Sequence, residues 1–152
     1  MLNQNFGQTN TSYQGRLRTP SALREYALLL VNTDRQTYRL KPLIEDKLIT
    51  LTAQQHAEDM QKRNYFSHTN LQGQEPSDRY RLNGGIGGIG ENITYISSTN
   101  SLKFELIEDF QKGWMKSPGH RENLLTPHYT KFGYGIYRDP IKGAVYAVQN
   151  FQ

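Results

Sequence analysis

Phe132-Gly133-Tyr134-Gly135-Ile136-Tyr137 alternates along its length, and Asp139-Pro140-Ile141-Lys142-Gly143 supplies a turn before the run Ala144 to Phe151. Alternating residues on either side of an Asp-Pro…Gly turn predict an antiparallel β-hairpin. Upstream, the period changes. Thr19 is placed to cap a helix with Pro20 at its first position, where the missing N–H costs nothing. Leu23, Tyr26, Ala27, Leu30 and Val31 then follow the spacing of a one-sided helix. A second helix is predicted after Asp46, with Leu48, Leu51, Thr52, His56, Ala57 and Met60 near one face. A short helical piece is expected at Pro76–Leu82. A longer one spans about Leu102 to Lys116, where Leu106, Phe110 and Trp114 recur every four residues. Helices first and a hairpin last specify α+β rather than a doubly wound parallel sheet.

A chain of 152 residues is one domain, large enough to bury a core without disulfides or a structural metal. Its apolar fraction of 36% and mean hydropathy of -0.76 fit a soluble domain carrying a polar tail. That tail is read at residues 1–18, rich in Gln, Asn, Thr and Gly, with the domain at 19–152. No run approaches the roughly 18 apolar residues that cross a bilayer. Met1 to Asn5 has neither the charged nor the apolar region of a signal peptide. The net charge is +4, but Lys and Arg are scattered among acids, as with Glu105, Asp109 and Lys112 on one predicted helix. A nucleic-acid groove needs a basic stripe with exposed aromatics, so nucleic acid is not an expected partner. The absence of cysteine excludes disulfide scaffolds, Cys-based zinc sites and thiol nucleophiles.

Gly85, Gly87 and Gly90 satisfy G-x-G-x-x-G literally, yet a dinucleotide site needs a buried strand before the run and a helix starting inside it. Polar Asp78 to Asn83 precedes the glycines and extended Glu91 to Tyr95 follows, so the segment is read as an irregular loop. His56, on the apolar face of the second helix, is read as a packed structural residue bonded to backbone. His128, after Pro127, is read as surface. His68 and His120 stand beside small or turn-forming residues, Ser67 and Pro118-Gly119, at the ends of helical segments, where each can project into a cleft. Two neutral imidazoles with waters make a partial, open site for zinc or another first-row metal. Glu91 can orient an imidazole N–H or hold a metal-bound water. The chain has no H-E-x-x-H. His120-Arg121-Glu122 reads as H-x-E, but the deaminase pattern also needs paired cysteines.

Four motifs recur in order: Phe66-Ser67-His68, Gly90-Glu91-Asn92, Trp114 followed by Ser117-Pro118-Gly119-His120-Arg121-Glu122-Asn123, and Val148-Gln149-Asn150-Phe151. Together with Asn32 and Arg35 in the first helix, they resemble the CAP superfamily (cysteine-rich secretory, antigen 5, pathogenesis-related), in its bacterial, cysteine-free, SCP-like branch. The resemblance covers the chain from the first helix to the last strand. It implies a three-layer α-β-α sandwich around a short antiparallel sheet. It also implies an extracellular or cell-surface protein whose leader lies before this sequence. In many eukaryotic members the cavity holds two His and two Glu. His68, Glu91 and His120 match three of those places, and Ser117 stands where the second acid is expected. The resemblance further implies structural roles for Trp114, as an anchor beneath the cavity, and for Asn92, as a tie for loop backbone. Asn92-Ile93-Thr94 is a glycosylation sequon inside a packed motif, where modification is not expected.

Three functions follow as expectations. The first is a secreted binding domain, a monomer, with a weakly held divalent metal (zinc foremost) or small polar ligand at His68, Glu91, His120 and Ser117. Its partner is an unidentified extracellular ligand or protein, and family analogy adds a lipid or sterol. The second is a hydrolase with Ser117, His120 and Glu91 as nucleophile, base and orienter, or with a metal-bound water. The third is a structural interaction domain with a vestigial site.

Overall fold

The computed structural model describes residues 18–152, so the expected tail, Arg18 apart, lies outside the described residues. Helix α1 (Pro20–Thr37) starts as its sequence dictates: Thr19 Oγ1 accepts a hydrogen bond from the Ala22 N–H at 3.1 Å, and Pro20 occupies the first turn. Its apolar stripe, Leu23, Tyr26, Ala27, Leu30 and Val31, is buried. Arg35 at its end is buried too, donating to the carbonyls of Lys41, Leu124 and Thr126 at 2.9 Å each. That one guanidinium fastens α1 to the segment that leads into the last strands. A buried cation is tolerated only when its donors are satisfied, and here carbonyl oxygens do it.

The remaining elements are β1 (Ile44–Glu45), α2 (Lys47–Lys62), α3 (Pro76–Leu82), β2 (Gly90–Ile96), α4 (Phe104–Lys116), α5 (Pro118–Leu124), β3 (Lys131–Arg138) and β4 (Val145–Phe151). The sheet runs β1-β3-β4-β2. β3 and β4 form the expected hairpin, with Gly135 opposite Val148. β2 pairs antiparallel with the other side of β4, so that Glu91 faces Asn150 and Ile93 faces Val148. α1 and α4 pack on one face of the sheet and α2 on the other, giving an α-β-α sandwich. One strand departs from the antiparallel expectation. β1 pairs parallel with β3 over two residues, Ile44 with Lys131 and Glu45 with Phe132. Both side chains of β1 are exposed, so the strand leaves no periodic signal and exists only through its backbone bonds.

α2 lies unusually close to the sheet. A Cβ on Gly133 would fall 2.3 Å from the Thr50 nitrogen, and one on Gly135 would fall 2.3 Å from the Ala53 carbonyl carbon. This contact corrects the helix face expected from sequence. Ile49, Thr52, Ala53, His56, Ala57 and Met60 are buried, whereas Leu51 is 45% exposed and Leu48 half-buried. Small residues are what the close backbone approach admits. α4 needs a similar correction: Phe104, Ile107, Phe110, Gln111 and Trp114 are its buried residues, and Leu106 is half-buried. A strict four-residue repeat drifts about 40° per step around a helix, which carries Leu106 off the core-facing line. Among the described residues, no helix is long and apolar enough to cross a membrane.

Candidate functional site

The site is assembled at the outer edge of β2, where chain from both helical layers meets. His68 comes from the layer of α2, on the loop joining α2 to α3 rather than on a helix end as expected. His120 comes from the opposite layer, in the first turn of α5, just past the break at Ser117 that separates α4 from α5. Period-two alternation along β2 points Glu91 to the α2 side and Asn92 to the α4 side.

Glu91 is the hub of the first half. Its carboxylate is 1% exposed, and Oε1 accepts from His68 Nδ1 at 2.9 Å. Oε2 accepts from Arg79 Nη2 at 2.7 Å and from the Asn150 amide, in the orientation that satisfies that amide, at 3.1 Å. Arg79 also donates to the carbonyls of His68 and Gln74, at 2.6 and 2.9 Å, so one side chain fixes both the carboxylate and the loop that bears the histidine. His68 therefore carries its proton on Nδ1, toward Glu91, and leaves Nε2 for the cleft. The hydrogen bond to Glu91 raises the His68 pKa above the ordinary 6.5, against the opposing effect of partial burial. His56 lies behind this pair, with Nε2 donating to the Ser67 carbonyl at 2.9 Å and 3.8 Å from Glu91 Oε1. Burial lowers its pKa, its Nδ1 has no partner among the described residues, and its ring sits against the Tyr65 ring.

The second half is held through the backbone. Asn92 Nδ2 donates to the His120 carbonyl at 3.1 Å. Asn123 Nδ2 donates to the Asn92 side-chain oxygen at 3.0 Å and to the Glu91 carbonyl at 3.1 Å. Asn92 Nδ2 also reaches the Gln149 side chain at 3.3 Å. The imidazole of His120 takes no hydrogen bond from another described residue. Burial lowers its pKa, and the charge of the neighbouring His68 lowers it further. The two rings are thus electrically coupled across the β2 edge. Beside His120 opens a cavity of about 610 Å³ between β2 and α4, lined by Thr94, Ile96, Leu106, Phe110, Trp114 and Ser117 among others. Trp114 is 3% exposed and donates its indole N–H to the Ile93 carbonyl at 3.1 Å.

The structure joins His68 to Glu91, sets His120 near enough for its pKa to feel the His68 charge, and places Ser117 in the lining of the cavity. It does not join Ser117, His120 and Glu91 into a nucleophile, base and orienter. Ser117 has no hydrogen bond to His120, and Glu91 is committed to His68, Arg79 and Asn150 on the other side of the strand. Among the described residues no three His, Cys, Asp or Glu are grouped to hold a metal between them. The residues that can offer metal donors are His68 and His120, with Glu91 behind His68. Asn92 is fully buried, so its sequon is inaccessible. His128 is exposed. Sequence reading missed Arg79 and gave no role to Asn123 and Asn150, which stand in its motifs, because these roles come from contacts far apart in the chain. For Arg79 the one local signal was its place in a short helix beside Tyr80, and that was read only as polar.

Residues 28–151 match the model of the Cysteine-rich secretory protein family, CAP. Over 116 residues, 76% of this chain and 42% of the relative, the chain is 34% identical to the uncharacterized protein YkwD of Bacillus subtilis (strain 168). Its fold matches an extracellular protein containing a SCP domain from Bacillus anthracis str. Ames, with a TM-score of 0.69 and 30% identity, over 91% of this chain and 44% of that one. It also matches NaASP2, solved with Zn2+, with a TM-score of 0.64 and 18% identity, over 85% of this chain and 78% of that one. The chain spans less than half the length of the two Bacillus relatives.

Proposed function

Since this chain belongs to the CAP family, we propose that it is a secreted or cell-surface binding domain whose cleft at the β2 edge takes a divalent cation, zinc foremost, weakly on His68 and His120. One observation carries the reading: Glu91 fixes the Nδ1 of a half-exposed His68 and so leaves its Nε2 free, while the charge of His68 is felt at the ring of His120. Glu91, already accepting from Arg79, serves as the orienter of that imidazole rather than as a ligand. Imidazole nitrogen suits zinc, and two protein donors completed by solvent give an open site. Such a site binds far less tightly than a four-ligand structural one, on the order of micromolar. The metal would supply a Lewis-acidic point for a polar ligand group. The residues of the chain orient the imidazole, keep His120 neutral and leave the neighbouring cavity open.

The extracellular SCP-domain protein of Bacillus anthracis supports the location, and the Zn2+ in NaASP2 supports the choice of probe. A calorimetric titration with zinc at pH 7.5 tests the reading. One site of about micromolar affinity is expected, lost in His68→Ala. Equal binding by the variant would remove His68 from the site, and no heat from the wild type would remove the metal.

A further inference from the structure

The cavity beside His120 and the strand that borders it form one continuous surface. β2 is the last strand of the sheet, paired only with β4. In an antiparallel ladder the N–H and C=O of one residue point to the same side, and successive residues alternate. The Glu91 and Ile93 carbonyls are taken from outside the sheet, by Asn123 Nδ2 and Trp114 Nε1. Residues 91, 93 and 95 therefore turn their backbone groups outward. At Tyr95 no described side chain takes them, so N–H and C=O stand at an unpaired edge between Thr94 and Ile96, which both line the cavity.

The cavity has features that the fold itself does not require. Gly113 sits inside α4, where glycine costs about 1 kcal/mol relative to alanine. A Cβ there would meet no atom within 4 Å, so no packing contact demands the vacancy. The floor is apolar, from Leu106, Phe110 and Trp114, and the one carboxylate among the lining residues is Asp109. At about 610 Å³ the space exceeds what a single small polar ligand fills.

We propose that this cleft takes an extended peptide, added as a strand to the free edge of β2 at Tyr95, with a lysine-type side chain seated in the cavity. Main-chain amides are what an unpaired strand edge recognises. A long aliphatic stem suits the apolar floor, and a terminal ammonium suits Asp109. His120 lines the same cavity. The proposal rests on the reading of this cleft as a ligand site, and names the ligand class.

Fluorescence anisotropy with fluorescein-labelled Thr-Val-Lys-Val-Thr tests it, beside versions whose central residue is norleucine, glutamate or glycine and one with N-methylated backbone. The lysine peptide should bind, the norleucine one less well, and the glutamate, glycine and N-methylated ones at least about tenfold more weakly. Gly113→Phe should weaken the lysine peptide at least about tenfold without lowering the melting temperature or the zinc affinity. Asp109→Asn should bring lysine down to the norleucine level. Indifference to the central residue would overturn the proposal. So would N-methylated peptide or octyl glucoside competing as well as the parent, which would mark a simple pocket for apolar chains. Absence of peptide binding up to about 1 mM would also overturn it. Zinc is read separately on the same proteins. Peptide binding without zinc binding would remove the metal and keep the peptide, and the converse would remove the peptide and keep the metal.

Discussion

His68 and His120 approach the same strand edge from opposite layers and are held in opposite ways. His68 sits on a loop, but its ring is fixed by a buried carboxylate that a buried guanidinium and an amide hold in turn. His120 sits in a helix, but its ring has no partner among the described residues, and it is the backbone carbonyl that Asn92 ties down. The first arrangement stabilises an imidazolium and presets a tautomer. The second disfavours charge and leaves the ring free to turn. A cleft built this way has one fixed donor and one adaptable donor, which is what an open site for an exchangeable ligand requires.

The sharpest way to break that comparison is to remove the fixing groups. Glu91→Ala leaves Arg79 buried without its carboxylate, and losing one member of a buried ion pair costs about 3–5 kcal/mol. His120→Ala removes a half-buried ring with no hydrogen bond, so its cost should stay under about 1 kcal/mol. Urea unfolding of both variants checks the ratio. Equal losses would mean that the two histidines are supported alike.

Acidification is the next largest effect. The raised pKa of His68 means that protons compete with a metal at a pH above the ordinary 6.5. Zinc affinity should already weaken as the pH falls through the upper end of the histidine range, approaching a tenfold loss per pH unit below the His68 pKa. The apo protein responds with mixed sign. The raised His68 adds stability that is present below 6.5 and is lost as pH rises through its folded pKa. His56 and His120, both lowered by burial, withdraw stability as pH falls through 6.5, because the unfolded chain takes their protons first. Melting curves between pH 5 and 8, with and without zinc, separate the two effects.

A smaller effect is expected at the vacancy. Ser117→Glu places a carboxylate at the mouth of the cavity beside His120, and zinc affinity should rise about tenfold. Calorimetry reads it directly, and unchanged affinity would mean that the side chain at 117 does not reach the cation.

Much of this architecture was legible in the chain, and what was missed has physical causes. Caps at Thr19 and Asp46, Pro20, the Asp139 turn and the alternation of the last strands are local signals, and local signals set element boundaries. β1 escaped because a two-residue exposed strand has no side-chain pattern, only backbone bonds. Leu51 was assigned to a buried face because hydropathy cannot register that Gly133 and Gly135 draw α2 down onto the sheet, and Leu106 because a four-residue repeat drifts around the helix. In the site, the three residues now gathered at the β2 edge were visible as motif residues. Arg79 was not, and Asn150 was visible only as a motif member without a role, because a polar residue in a short helix or final strand reads the same whether it faces water or a buried carboxylate.

The most direct measurement is the titration of the histidine ring signals by NMR, from pH 5 to 9, without and with zinc. The account predicts a His68 pKa above 6.5 and a neutral form protonated on Nδ1, a His120 pKa below 6.5, and displacement of both rings together at one equivalent of zinc. Two histidines titrating alike near 6.5, or zinc moving one ring and leaving the other unchanged, would contradict it.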